Sequence, residues 1–267
     1  MTGVLTTKTV EKPWGRDSLP LPFAAPKDKR IGEIWFEAPP PLDDLLAKYL
    51  FTSEKLSVQV HPDNARAPGG TRGKEECWLV LAAEPGAQLA IGFERELSTE
   101  ELRAAALDGS VEELLTWHDV AVGDFFYLPA GTVHAIGAGL VIAELQQNSD
   151  TTYRLFDYGR PRELHLDEAL AVANRGVYRD PRRRHVAPDE PATLVDGPFF
   201  RIDHVTGEAD LAALADYYRA PLMILPLRGE AVVGDGVTVK AGECGWADSV
   251  EAVRIARSCR ALLFSAA

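Results

Sequence analysis

Residues 123–139 read GDFFYLPAGTVHAIGAG. The run from Phe125 to Leu128 is bounded by Gly123 on one side and Pro129 on the other, which reads as a short strand closed by a turn. His134 follows the turn. A histidine alone on a strand is more often a satisfied core residue than a ligand, so its meaning depends on what the rest of the chain brings to it. In LSVQVHPDN, residues 56–64, strand alternation puts Ser57, Gln59 and His61 on one face and Leu56, Val58 and Val60 on the other. A polar stripe on an otherwise apolar strand needs water, hydrogen-bond partners or a ligand. A further stripe, Lys74, Glu76 and Trp78, lies in KEECWLVL beyond the loop PDNARAPGGTRG. Lys74 and Glu76, at a strand start, read equally well as solvent-exposed charges.

Most of the remaining chain is a succession of short apolar runs between Gly, Pro and Asp turns: CWLVLA, QLAIGF, LVIAELQ, FFRIDHV, LMILPL, AVVGDG, VTVKAG and VRIARS. Many short strands imply a sandwich or barrel. Two segments read as helical. Residues 98–116 open with Ser98 and Glu101 as a capping box, and Asp108-Gly109 divides them into two short helices. Residues 164–175 carry Leu166, Leu170 and Val172 at helical spacing, with Asp167 and Glu168 suited to a helix start. Residues 178–191, YRDPRRRHVAPDEP, read as a solvated linker between a first unit, 1–177, and a smaller one, 192–267.

The chain has 267 residues, 46% of them apolar and 25% charged, the mix of a folded globular protein. A net charge of −12 and a pI near 5.0 argue against nucleic acid or an anionic membrane as partner. An anionic metabolite stays open, because a few cations converging in one pocket outweigh the mean charge. Cys77, Cys244 and Cys259 are odd in number and lie far apart without CxxC spacing. They read as reduced thiols. The first residues lack the basic start and apolar stretch of a signal peptide, and no apolar run reaches about 18 residues, so the expected location is cytoplasmic.

Taken in order, these motifs resemble a known family. Gly123, Pro129, Gly131 and His134 fit G-x5-P-x-G-x2-H, the second conserved motif of the cupins. The usual first cupin motif has two histidines and a closely following glutamate, whereas here Gln59-x-His61-Pro62 precedes a glutamate displaced by a loop. This arrangement resembles the type I mannose-6-phosphate isomerases, in which the metal glutamate follows a lysine by two positions, as Glu76 follows Lys74. The resemblance runs from EKPWG (11–15) and IGEIWF (31–36) through VQVHPDN, GKEECW and GDFFYLPAGTVHA to ELQQNSDTTYRLFDYGR (144–160) and RELHLDEAL. It is closest to the short bacterial form. The fold it implies is dominated by β-structure: a jelly-roll cupin barrel with short helical insertions. The segment GEAVVGDGVTVKAGECGW, residues 229–246, has the shape of a cupin hairpin, so the second unit reads as a degenerate, metal-free cupin-like domain.

The resemblance further implies that Gln59, His61, Glu76 and His134 hold one divalent metal. Nitrogen and oxygen donors suit zinc first and leave iron, manganese, cobalt and nickel open. By the same resemblance Arg154 acts on the sugar during proton transfer, and Glu144 is a candidate base. Ser57, Lys74 and Asp150 face the substrate, with Ser57 and Lys74 at its phosphate. Arg160 stands where larger family members have a lysine and is a further phosphate candidate. Each has a plainer alternative: Glu144 orients Arg154 or a ligand, Asp150 caps a turn, and Ser57 bonds its neighbouring strand. The implied reaction interconverts mannose 6-phosphate and fructose 6-phosphate. Two rival readings remain, an iron-dependent cupin dioxygenase using His61, Glu76 and His134, and a non-catalytic sugar-binding cupin. Exposed edge strands leave pairing into a homodimer open.

Overall fold

The apolar runs form strands that stack as three sheet layers. The computed structural model describes residues 2–207, 209–218 and 220–267. In chain order the first strands are β1 (Gly3–Val4), β2 (Thr6–Arg16), β3 (Ile31–Glu37), β4 (Leu45–Phe51), β5 (Val58–Val60), β6 (Glu76–Ala83) and β7 (Gln88–Phe93). After helices α1 (Thr99–Asp108) and α2 (Val111–Leu114) come β8 (Leu115–Asp119), β9 (Asp124–Leu128), β10 (His134–Ile136), β11 (Leu140–Gln147) and β12 (Tyr153–Phe156). Helix α3 (Leu166–Val172) leads to β13 (Arg184–His185), β14 (Ala192–Asp196), β15 (Phe200–Thr206), β16 (Leu222–Arg228), β17 (Glu230–Val233), β18 (Val237–Lys240), β19 (Gly245–Ala247), β20 (Val253–Ile255) and β21 (Arg260–Ala266).

A five-stranded sheet in the order β12-β5-β10-β7-β8 faces a seven-stranded sheet in the order β13-β9-β6-β11-β4-β3-β2, the two layers of a jelly roll. The outer face of the first, with Val58, Val60 and Ala90, packs under α1 and α3 through Leu102, Ala106 and Leu170. Between the sheets, Trp78, Ile91, Phe126 and Ile142 fill part of the interior and leave a cavity beside them. The outer face of the second, with Tyr49, Phe51, Leu79 and Tyr127, meets Phe200, Ile202, Met223 and Phe264 in one continuous core. That third layer is a six-stranded sheet, β1-β19-β16-β21-β15-β14, and a three-stranded sheet, β18-β17-β20, lies beyond it.

Two boundaries differ from those read in the sequence. Residues 178–191 are not a free linker: β13 pairs with β9 through Arg184↔Phe125 and His185↔Asp124, and Val186 N–H donates to Gly123 O at 2.8 Å. Tyr178 Oη donates to Tyr127 O at 2.6 Å, and Arg182 is gripped by Asp180 while its guanidinium lies 3.4 Å over the Tyr127 ring. Arg182, Arg183 and Arg184 are used at the sheet edge. The first unit is not self-contained either, because β1 pairs with β19, Gly3 opposite Trp246.

The expected capping box is present: Ser98 Oγ accepts from Glu101 N–H, and the Glu101 carboxylate accepts from Ser98 N–H. Gly109, at φ 87°, ends α1 in the left-handed conformation. The helical reading of 98–116 runs too far, since Leu115 and Thr116 are extended and Leu115 pairs with Phe93.

Candidate metal centre and active site

The polar stripes meet between the two jelly-roll sheets. In the five-stranded sheet His134 and Arg154 both pair with Gln59, so β10, β5 and β12 present them side by side. From the facing sheet come Glu76 on β6, Glu144 on β11 and Lys48 on β4, with Glu144 directly opposite Lys48. Two glycines make the approach possible. Gly131, at φ 87°, donates its N–H to His61 O at 2.8 Å and ties the two histidine segments together. Gly73 closes the loop that returns the chain from His61 to Lys74, where a Cβ would lie 2.4 Å from the Asn64 nitrogen and 2.5 Å from the Asp63 carbonyl carbon.

His61, Glu76 and His134 are buried, and their ligand atoms lie within 4.8 Å of one another. His61 Nε2 stands 3.4 Å from one Glu76 oxygen and His134 Nε2 stands 3.4 Å from the other. Each ring donates Nδ1–H to a backbone carbonyl, His61 to Thr151 O at 2.8 Å and His134 to Thr132 O at 2.9 Å. That fixes the tautomer and turns both Nε2 lone pairs toward Glu76, the arrangement that metal-ligating histidines require. Burial holds both histidines below their ordinary pKa, His61 well below with Lys74 and His134 adding to the effect, so both are neutral bases. The donor set therefore fits a divalent ion.

Gln59 borders the same centre. Its Nε2 faces His134 Nε2 at 3.3 Å and its Oε1 accepts from Ser57 Oγ at 3.0 Å. Exchanging the amide ends points the oxygen at the centre and lets Ser57 Oγ accept instead of donate.

The lysines carry the charge balance. Lys74 Nζ lies 2.6 Å from a Glu76 oxygen, 3.0 Å from His61 Nε2 and 3.6 Å from Glu144. Binding of a cation by His61 and Glu76 thus requires this ammonium to turn toward the cavity it also lines. Lys48 Nζ pairs with Glu144 at 3.0 Å. Burial opposes its charge, but Glu144, Glu33 and Glu76 outweigh burial and raise its pKa. Burial and the nearby Glu76 carboxylate raise Glu144, against the pull of the two lysines. For Glu76 the opposite holds: burial is overcome by Lys74 first and Lys48 after it, and its pKa falls.

The cavity, about 250 Å³, is bordered by Gln59, Glu76 and Glu144 and by five cations, Lys12, Lys48, Lys74, Arg154 and Arg162. Arg154 is held below its ordinary pKa by burial and by the nearby charge of Arg162. Its Nε is buried without a hydrogen-bond partner among the described residues. Ser57 and Asp150 line the cavity as well.

Lys74, expected to face the substrate, lines the cavity and stands beside Glu76 and His61. Arg160 does not reach the cavity. It is spent on Asp157 at 3.2 Å and Glu54 at 3.0 Å, because the Tyr158-Gly159 turn, with Tyr158 at φ 56°, directs it outward. Arg162, two residues later, lines the cavity in its place, braced by Asp157 at 2.6 and 2.7 Å. Lys12, Glu33, Trp35 and Lys48 were also missed. A lysine alone in LLAKYLF, a strand buried at every residue, was the available signal for Lys48.

No family model matches the chain. It is 40% identical over 205 residues to the mannose-6-phosphate isomerase of Streptococcus mutans, 72% of this chain and 63% of that enzyme. The chain thus spans under two thirds of the length of this curated relative. The crystal structure of the mannose 6-phosphate isomerase from Bacillus subtilis matches with a TM-score of 0.77 at 26% identity, covering 99% of each chain. A zinc-bound mannose 6-phosphate isomerase structure shares the fold, with a TM-score of 0.72 at 15% identity and 99% of each chain covered. Fold and site together define a cupin with a buried two-histidine, one-carboxylate metal-binding set. Within that class, the chain is similar to the mannose-6-phosphate isomerases, in sequence over most of its length and in fold over nearly all of it.

Proposed function

We propose that this chain is a metal-dependent aldose-ketose isomerase that interconverts mannose 6-phosphate and fructose 6-phosphate. The observation that carries the reading is the cavity beside the metal-binding set, lined by Gln59 and Glu76 and by five cations against four carboxylates, Glu33, Glu76, Glu144 and Asp150, a lining that suits a polar ligand carrying an anionic group. An oxygenase has no evident use for that lining. The names of the relatives support the same reading. The protein's place is the cytoplasm, in keeping with three free, buried cysteines.

The reaction moves a proton between adjacent carbons through an enediolate, so its barrier is negative charge growing on oxygen. A divalent ion held by Gln59, His61, Glu76 and His134, zinc by the donor set, would supply Lewis-acid stabilisation of that charge. Arg154, which lines the cavity, presents a fixed guanidinium to the same oxygens. Glu144 takes the carbon-bound proton and returns it to the neighbouring carbon; burial raises its pKa toward the range useful for a base, and Lys48 fixes its orientation. Lys74, beside Glu76 and Glu144, belongs at the reacting end. Phosphate sits with Arg162 and Lys12, where an anion relieves the repulsion among Lys12, Arg154 and Arg162. Binding at that end positions the sugar, although the phosphate does not react.

Incubation of purified, metal-analysed protein with mannose 6-phosphate, followed for fructose 6-phosphate, tests the proposal. Absence of product with zinc, manganese, cobalt and nickel alike would sink it.

A further inference from the structure

A second cavity, about 630 Å³, lies in the C-terminal unit and is lined by Asp189, Thr206, Leu227, Arg228, Ser258 and Arg260, among others. It is larger than the cavity beside the metal set and falls in the size range of small-molecule sites. Arg260, the first residue of β21, is part of its lining. The guanidinium is held from behind: Nε donates to His204 Nε2 at 2.7 Å, and His204, fully buried on β15, donates Nδ1–H to Glu190 O at 2.8 Å. Both histidine nitrogens are thereby committed. His204 must be neutral, as burial also dictates, and its only role toward Arg260 is to aim it. One donor of this guanidinium is unspent: Arg260 Nη2 is buried with no hydrogen-bond partner among the described residues. Asp189 lies close enough to act on the charge of Arg260, yet forms no ion pair with it among the described residues. Arg228, exposed at the end of β16, pairs with Arg260 across the strands, and it too has no carboxylate partner among the described residues. A guanidinium fixed by a buried histidine, with an unspent donor, a cavity beside it and a second arginine across the strands, is suited to an oxyanion.

We propose that this cavity binds a small phosphorylated metabolite, its phosphate gripped by Arg260 and Arg228, as a site separate from the metal centre. It stands whether or not the isomerase reading does, because none of its residues lines the first cavity.

Equilibrium dialysis of the metal-loaded full chain against inorganic phosphate tests the proposal. Arg162→Ala disarms the phosphate end of the first cavity, so phosphate still bound by this variant reports on the second. In that background Arg228→Met and Arg260→Met are each expected to weaken the remaining binding about tenfold or more, the loss of one charge-assisted contact. Arg228 is exposed, so its variant keeps the test open if Arg260→Met fails to fold. Wild-type binding in a folded Arg228→Met or Arg260→Met protein, or no phosphate bound by folded Arg162→Ala, overturns the proposal. Repeating the dialysis with pyrophosphate checks ligand size: binding at least as tight as phosphate agrees with the roomy cavity, and its exclusion contradicts a metabolite-sized site.

Discussion

Arg154 and His134 lie one strand apart, yet their removal should have opposite signatures. Arg154→Ala leaves the donor set untouched and removes a fixed charge, so metal content should match wild type while turnover falls about a hundredfold to a thousandfold. His134→Ala removes a ligand and should lose the metal, read by elemental analysis after dialysis. Unchanged turnover in the first or full metal in the second would refute these roles. Lys74 and Arg162 separate in the same way: Lys74→Met should lower kcat, whereas Arg162→Ala should mainly raise KM for phosphate-bearing sugars. The buried histidines also set a pH dependence for the metal-free protein. Their folded pKa values lie below the ordinary 6.5, so the unfolded chain takes up protons that the native site refuses. Stability is full above about 6.5, the unfolded value, and drains away as pH falls below it; thermal midpoints at pH 7.5 and 5.5 should show the drop, less so after both histidines are replaced by Gln. At this scale the sequence was legible where a motif repeats its spacing, as in Gln59-x-His61 and Lys74-x-Glu76. It was opaque where a neighbouring turn decides direction, as at Arg160 and Arg162.

Elements, rather than single side chains, bring Glu76 to the histidines. The loop between His61 and Lys74 closes on itself through Lys74 N–H to Pro62 O at 2.9 Å and Gly73 N–H to Asn64 Oδ1 at 2.8 Å. Gly73→Ala would drive a methyl into the Asp63-Asn64 backbone. Because the displaced segment carries Lys74 and Glu76, the expected result is weaker metal binding with the rest of the fold intact, measured by chelator competition against unchanged far-ultraviolet circular dichroism. Wild-type metal affinity would show that the loop adapts. Strands with clean turn signals, such as β6, β7, β9 and β11, were readable in advance, as was the capping box of α1. β2, β3, β4, β12, β14 and β21 were not read as strands. β4 illustrates why: with all seven residues buried it lacks the alternation that betrays a strand, and an apolar run of that length also suits a buried helix.

At the scale of the whole molecule, two units that look separable in sequence share one core. Charge and proline in residues 178–191 suggested an independent connection, but hydrophobicity alone does not say which sheet a face will meet. Tyr127 on the seven-stranded sheet packs on Phe200 with ring centroids 5.8 Å apart, and Phe200 packs on Phe264 at 5.4 Å. Leu5, Phe36 and Tyr49 are buried in the same cluster as Ile202 and Met223. Removing the C-terminal layer would bare this entire face to water, a contiguous apolar surface of the kind that drives aggregation. A chain ending at residue 191 should therefore be insoluble or bind hydrophobic dyes, although every residue of the proposed metal centre is present. Phe264→Ala tests the coupling more gently: a buried Phe truncated to Ala costs about 3–5 kcal/mol, and the full chain should then unfold at a lower temperature in a single transition. Metal release and loss of the C-terminal sheet would coincide in that transition. Two resolved transitions, with the metal retained after the first, would show instead that the shared core does not bind the units into one cooperative body.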